Sequence, residues 1–156
     1  TLMAIAMLFP ITAFAQAYVQ TWDLVDSGKH LDYDGNSTYM SYINTGAATW
    51  NAYKSGVIRK DSAFVVEDVY VSDVNASNGW AGMTYSSGKI ELNTYYMSGY
   101  SNSKKQNVAT HELGHALGLD HSTSTDVMDA AITGHTSTQA LSQNDKDSYD
   151  AAYNNY

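Results

Sequence analysis

Hydrophobic residues recur at helical spacing in one early segment of the chain. From Ser37 onward, four apolar residues follow one another at steps of three and four: Met40, Ile43, Ala47 and Trp50. Because this spacing places side chains on one face of a helix, the pattern predicts a helix that starts near Ser37. We expect it to end near Ser55 and Gly56.

Runs rich in β-branched and aromatic residues follow this helix and predict strands. Four such runs are found, at residues 57–59, 65–71, 80–85 and 89–93. The last two are separated by a turn signal, residues 86–88 with the sequence Ser-Ser-Gly. The spacing predicts one sheet built mostly from neighbouring segments.

Two later helices are predicted from capping patterns. Ser103 and Gln106 have the spacing of a capping box, which predicts a helix from Ser103 to about Leu117. Ser142 and Asp145 have the same spacing and predict a last helix that continues to the C-terminus. The predicted order is therefore helix, strands, helix, irregular loop, helix.

The first apolar run, residues 2–15, is short and ends in small residues. It is typical of the hydrophobic region of a secretory signal peptide, and Ala13-Phe14-Ala15 fits the small-x-small cleavage rule. We expect a signal peptide over residues 1–15, or up to 17, and a mature domain over 18–156 in the secreted, extracellular protein. The alternative is an apolar strand or helix that packs on the domain.

Composition narrows the candidate functions. A chain of 156 residues is the size of one domain, and its formal net charge of -8 disfavours nucleic acid and anionic membrane surfaces as partners. We therefore expect no nucleic acid and, after signal cleavage, no membrane contact. The chain has no Cys, so any metal must be held by His, Asp or Glu.

The segment from His111 to His121 has the pattern H-E-x-x-H-x-x-G-x-x-H. Residues four apart project from one helix face, so His111 and His115 can reach one ion. Glu112 follows the first ligand directly and is placed to act as general base rather than as ligand. Gly118 can adopt the left-handed conformation that ends a helix and turns His121 back as third ligand.

Three nitrogen ligands leave one tetrahedral position open, which is typical of a catalytic zinc site. Zn²⁺ lowers the pKa of a bound water to about 7, and Glu112 would pass the water proton to the leaving amine. The motif thus predicts amide hydrolysis with one catalytic zinc ion and no covalent intermediate. His30 and His135 are assigned no role, since a single His is more often a surface or turn residue.

At these residues the chain resembles the metzincin clan of zinc metalloproteases, and its details look most like matrixins. Ser122 directly follows the third His, Val127 and Met128 stand where that family has its Met-turn, and residues 141–145 are similar to the start of its last helix. The resemblance implies an α+β fold with a twisted, mostly parallel sheet of about four to five strands, an active-site helix, a Met-turn and a C-terminal helix. It also implies that Met128, like Gly118, supports the site without binding the metal.

The resemblance further implies a polypeptide substrate bound in extended form along a strand at the edge of the cleft. By position, residues 79–85 look like that edge, and an ordinary sheet edge is the alternative. Matrixins usually have a Pro and then a Tyr after the Met, whereas this chain reads Asp129-Ala130-Ala131, so the shape of the specificity pocket is not transferable. The Cys that often keeps matrixins latent is also missing, so any latency needs another route.

Calcium is common in matrixins, and residues 32–36, Asp-Tyr-Asp-Gly-Asn, are the candidate Ca²⁺ site. They fail the EF-hand template, because Gly35 is misplaced and Ile43 stands where the bidentate Glu should be. A turn leading into the first helix is the simpler interpretation.

The favoured function is that of a secreted, monomeric zinc endopeptidase. One alternative is a non-peptidase zinc hydrolase, which predicts a deep closed pocket instead of an open cleft. The other is a zinc-stabilised binding or toxin module, in which Glu112 would have no purpose.

Overall fold

The computed structural model describes residues 16–62 and 66–156. The predicted signal peptide, residues 1–15, lies outside the described residues. The strands are β1 Leu31–Gly35, β2 Ile58–Lys60, β3 Val69–Val74, β4 Gly82–Tyr85 and β5 Lys89–Asn93. The helices are α1 Met40–Asn51, α2 Thr94–Met97, α3 Asn102–Ala116 and α4 Gln143–Tyr153, with a 3-10 turn at Ile132–Gly134.

Among the described residues the strands form a single five-stranded sheet in the order β2-β1-β3-β5-β4. All neighbours are parallel except β4 and β5, which are antiparallel. The turn between β4 and β5 contains Gly88 at a φ of 85°, a conformation that favours glycine. The mostly parallel sheet and the α+β class are confirmed, and β4 lies at one edge.

Strand β1 was not predicted, and the interpretation of residues 32–36 as a turn is wrong for most of this segment. Leu31 and Tyr33 are buried, as expected for a central strand, but Asp32 is buried too. Arg59 on β2 donates two hydrogen bonds to the Asp32 carboxylate, at 2.9 and 2.6 Å. This ion pair compensates the buried charge, so Asp32 can occupy a strand inside the sheet. Because charged residues are rarely buried, Asp32 interrupts the apolar pattern that would have predicted the strand.

Helix α1 begins at Met40, later than the predicted start at Ser37, and ends at Asn51, before the predicted end near Gly56. Its start is delayed because Ser37 and the backbone N–H of Thr38 donate hydrogen bonds to Asp73 of β3. The predicted apolar face is buried at all positions except Met40, which is half-buried.

Helix α3 is capped by Ser101, whose hydroxyl accepts a hydrogen bond from the Lys104 N–H, so the predicted capping box at Ser103 is wrong. Gln106 instead donates to the carbonyl of Tyr42. The predicted capping box of Ser142 with Asp145 is confirmed at the start of α4.

The other strand boundaries shift by a few residues. The run predicted over 65–71, of which residue 65 lies outside the described residues, gives a strand from Val69 to Val74, and the run over 80–85 gives a strand from Gly82. The last run, Lys89–Asn93, matches β5. In the part of the chain that the structure describes, no helix has the length and apolar character needed to cross a membrane.

Helices α1 and α3 pack on each other beside the sheet. Trp50 of α1 is fully buried, and its indole N–H donates a 2.9 Å hydrogen bond to the carbonyl of Thr110 on α3. This bond anchors the second half of α3, which carries the H-E-x-x-H residues, to the core.

Candidate metal centre

The three predicted ligand histidines come together at the end of α3. His111 and His115 lie on the helix, and Gly118 with φ 84° ends it and turns the chain toward His121. One ring nitrogen from each histidine lies within 4.8 Å of the other two. His115 Nε2 and His121 Nε2 are 3.2 Å apart. Two nitrogens bound to one tetrahedral zinc are about 3.3 Å apart, so these side chains can hold a metal ion.

Backbone carbonyls fix which ring nitrogen is available for metal binding. His111 Nδ1 lies 2.8 Å from the carbonyl oxygen of Val127, and His115 Nδ1 lies 2.9 Å from that of Leu119. A carbonyl oxygen only accepts, so both Nδ1 atoms carry the proton and both Nε2 atoms keep a free lone pair.

Burial keeps His111 and His115 neutral. Burial lowers the pKa of His111 to about 3, and the neighbouring His115 adds to this shift. The pKa of His115 is lowered as well, chiefly by burial. Neutral imidazole is the form that binds metal, so the site needs no proton release from these two rings at neutral pH.

Glu112 is nearly inaccessible to solvent, and β4 packs directly on its carboxylate. Thr84 Oγ1 donates a 2.7 Å hydrogen bond to Glu112 Oε2 and also lies 3.0 Å from the Glu112 carbonyl oxygen. At Gly82, an added Cβ would lie 2.6 Å from Glu112 Oε1, so only glycine allows this approach. Sequence analysis missed both contacts, although Gly82 stood in the segment predicted to border the cleft.

Burial raises the pKa of Glu112 to about 7, and the hydrogen bond from Thr84 opposes this shift. A carboxyl with a pKa near neutrality can both accept and donate a proton under ordinary conditions. The position and environment of Glu112 are therefore suited to general-base chemistry.

A cavity of about 240 Å³ lies in front of these groups. It is lined by residues 79–83 of the edge segment and by Ala130, Ile132 and Thr133. His111, Glu112 and His121 also line it, together with Val108, which lies one turn before His111 on α3. His121 is exposed, so the metal site opens to solvent.

Met128 is buried against the ligand-bearing helix. A Cβ at Gly114, between the two helical histidines, would lie 2.3 Å from Met128 Sδ. The N–H groups of Val127 and Met128 donate to the Asp145 carboxylate at 2.9 and 3.1 Å. Asp145 thus joins the start of α4 to the predicted Met-turn, a contact that the sequence did not reveal.

In the segment after Met128, the Asp129 carboxylate contacts the His135 ring. His135 Nε2 lies 2.8 Å from Asp129 Oδ2, and Asp129 also accepts from the N–H of Ala131. His30 lies elsewhere, 3.7 Å from Asp26. Neither His30 nor His135 is part of the three-histidine group.

Calcium at residues 32–36 is not supported. A group of three carboxylates, Asp26, Asp32 and Asp68, does include one residue of this segment. However, Arg59 binds both carboxylate oxygens of Asp32, and Asp68 Oδ2 accepts from the Asp32 N–H. These donors occupy carboxylate oxygens that a calcium ion would need as ligands.

The chain matches a family model and a number of solved structures, among them the two that follow. Residues 12–154 match the family model described as Matrixin. The structure is similar to archaemetzincin from Methanopyrus kandleri, with a TM-score of 0.58 and 12% identity over 83% of this chain and 99% of the other. High choriolytic enzyme 1, a hatching enzyme zinc-protease from the medaka Oryzias latipes, matches with a TM-score of 0.37 and 21% identity over 64% of this chain and 50% of the other. No curated protein matches the chain. The likeness to archaemetzincin supports a metzincin-like fold.

Proposed function

Because the chain belongs to the matrixin family of metzincin zinc peptidases, we propose that it is a secreted endopeptidase of matrixin type that cleaves polypeptides bound in extended form. The observation that carries this proposal is the placement of the buried Glu112 carboxylate beside three histidine nitrogens that converge on one point. A binding module that used zinc only for stability would not need a buried carboxylate next to the ligands.

His111, His115 and His121 would hold Zn²⁺, and their nitrogen donors fit that ion. When bound, zinc supplies a Lewis acid and a water of lowered pKa. Glu112 would accept a proton at its carboxylate and return it to the leaving amine. Thr84 would hold that carboxylate in place through the hydrogen bond to Oε2.

The substrate would lie along β4. Within the described part of the chain, β4 pairs only with β5, so its outer edge is free to add an extended peptide as a further strand. The cavity beside the histidines has apolar walls at Val108 and Ile132, which favours an apolar substrate side chain next to the scissile bond.

Export of the enzyme is proposed from the apolar run at residues 2–15. The lack of Cys agrees with a fold that relies on its core rather than on disulfides. We propose that the mature domain acts outside the cell as a monomer, with no nucleic acid or membrane partner.

The test is cleavage of unfolded casein by the zinc-loaded protein, with and without 1,10-phenanthroline, beside the variant Glu112→Ala. Glu67→Ala, which changes an exposed carboxylate, is the matched control. We expect the chelator and Glu112→Ala each to abolish cleavage, while Glu112→Ala keeps its zinc. Folded, zinc-loaded protein that hydrolyses small esters or amides but no polypeptide would instead favour a non-peptidase hydrolase, and no hydrolysis at all would favour a binding role.

A further inference from the structure

The N-terminal segment, residues 18–20, is hydrogen-bonded along the loop that joins His115 to His121. Val19 forms an antiparallel bridge with Leu119. The Gln20 N–H donates to the Gly118 carbonyl at 2.7 Å, and the Asp120 N–H donates to the Tyr18 carbonyl at 3.0 Å. This pairing fixes the backbone of Gln20 beside the metal ligands.

Residues on both sides of Gln20 are anchored to helices. The Tyr18 N–H donates to Ser148 Oγ on α4 at 2.9 Å, and the Leu24 N–H donates to the Ala116 carbonyl at the end of α3 at 2.9 Å. Gln20 is therefore held between two fixed points, which define the position of its backbone.

The side-chain amide of Gln20 contacts His115. One end of the amide, assigned as Nε2, lies 2.9 Å from His115 Nδ1. That Nδ1 also lies 2.9 Å from the Leu119 carbonyl oxygen and must carry the proton that this oxygen accepts. A protonated Nδ1 cannot accept a hydrogen bond from an amide NH₂ group, so the two donors would face each other.

The other end of the amide has the opposite mismatch, an acceptor without a donor. Gln20 Oε1 is buried without a hydrogen-bond partner among the described residues. The two ends of a Gln amide have the same shape, so a half-turn about its last bond exchanges them without moving other atoms. After this turn Oε1 accepts from His115 Nδ1–H, which removes both the donor–donor contact and the unpaired acceptor.

We propose that Gln20 is a positioning residue of the metal centre, whose Oε1 shares the Nδ1 proton of His115 with the Leu119 carbonyl. Two acceptors on one N–H hold the ring in one tautomer and one orientation, with Nε2 presented to the metal. The inference rests on the zinc site of the proposed function and adds to it a contact from a residue 95 positions away in sequence. Packing of residues 18–20 against the ligand loop and binding of zinc are therefore coupled, so each stabilises the other.

Zinc affinity of the full chain tests this role. It is measured by competition with a chelating dye for the unchanged protein, Gln20→Met, Gln20→Glu and the control Thr21→Val, an exposed neighbour. Gln20→Met keeps the length of the side chain but removes the acceptor, and we expect it to weaken zinc binding roughly 10- to 100-fold. Gln20→Glu supplies a stronger acceptor and should bind zinc at least as tightly as the unchanged protein. Thr21→Val should change nothing.

Each other outcome has a defined meaning. Zinc affinity of Gln20→Met within twofold of the unchanged protein overturns the positioning role, and so does an equal loss in Gln20→Met and Gln20→Glu. Thermal unfolding without zinc shows whether each variant is folded. If Gln20→Met is not folded, Gln20→Glu decides alone, and a tenfold loss in that variant overturns the inference. An unchanged protein that binds no zinc would overturn the proposed function and this inference together, whereas the first two results leave the proposed function intact.

Discussion

Removal of the Thr84 hydroxyl should move the pH dependence of the reaction. Thr84→Val keeps the shape of the side chain but deletes the 2.7 Å hydrogen bond to Glu112 Oε2. That hydrogen bond stabilises the ionised carboxylate and lowers its pKa against the effect of burial. Without it, the pKa of Glu112 must rise, because burial then acts unopposed.

The size of the effect follows from the strength of such bonds. A hydrogen bond to a charged group contributes about 1.5–3 kcal/mol, and one pKa unit corresponds to about 1.4 kcal/mol. The pKa of Glu112 should therefore rise by about one to two units. As a general base Glu112 must be ionised, so the acid limb of the kcat/KM profile should move to higher pH by the same amount. At pH values well below this limb, kcat/KM of Thr84→Val should be roughly 10- to 100-fold lower than that of the unchanged enzyme.

The assay is hydrolysis of a fluorogenic peptide by the zinc-loaded enzyme between pH 5 and 9, and the matched control is Thr84→Ser, which keeps the hydroxyl. We expect Thr84→Ser to follow the unchanged enzyme and Thr84→Val to show the shifted limb. Acid limbs that coincide for Thr84→Val and the unchanged enzyme would refute the reasoning. An equal shift in Thr84→Ser would also refute it, since packing of the methyl group would then be the cause.

Three further predictions concern other contacts of the site. Gly82→Ala should lower kcat/KM at least tenfold, because its Cβ would lie 2.6 Å from Glu112 Oε1, whereas Gly99→Ala, whose nearest contact is 3.8 Å away, should leave activity unchanged. In the metal-free protein, burial raises the pKa of Glu112 from 4.5 to about 7, so its ionisation destabilises the fold as pH rises through that window. The free energy of unfolding of Glu112→Gln, relative to that of the unchanged protein, should therefore increase by about 3 kcal/mol from pH 4 to pH 8, as measured by urea unfolding at each pH. A difference in unfolding free energy that stays the same at both pH values would contradict this. Asp145→Asn weakens the buried hydrogen bonds that the carboxylate accepts from the N–H groups of Val127 and Met128, and it should lower the Tm by about 5–10 °C in a thermal scan. The control is Asp147→Asn, a half-buried carboxylate on the same helix, and equal Tm values for both variants would argue against the role of Asp145.

Local spacing predicted those parts of the fold that depend on neighbouring residues. Helix geometry alone places His111 and His115 on one face, and the left-handed Gly118 needs only the chain around it. The capping box at Ser142 is equally local and was predicted correctly. For the same reason, the three histidines could be grouped before the structure was known.

Except for the start of α3, the missed features depend on contacts between residues far apart in sequence. Strand β1 was overlooked because the burial of Asp32 requires Arg59, on another strand. The start of α3 was misplaced because Ser101 and Ser103 both fit a cap, and local pattern does not distinguish them. The contacts that hold Glu112 and His115, from Thr84 and Gln20, join segments that meet only after folding.

The contact between Gly114 and Met128 limits how this sequence can change. A methyl group at position 114 would overlap the Met128 sulfur and would also lie 2.9 Å from the Trp50 ring. A larger residue at 114 thus requires a smaller one at 128 and room at the Trp50 ring in the same molecule, so single substitutions at Gly114 should not be recovered in a selection for activity. Positions from three separate segments then change together, and variation at the apolar base of the site should appear as combined replacements rather than as independent ones.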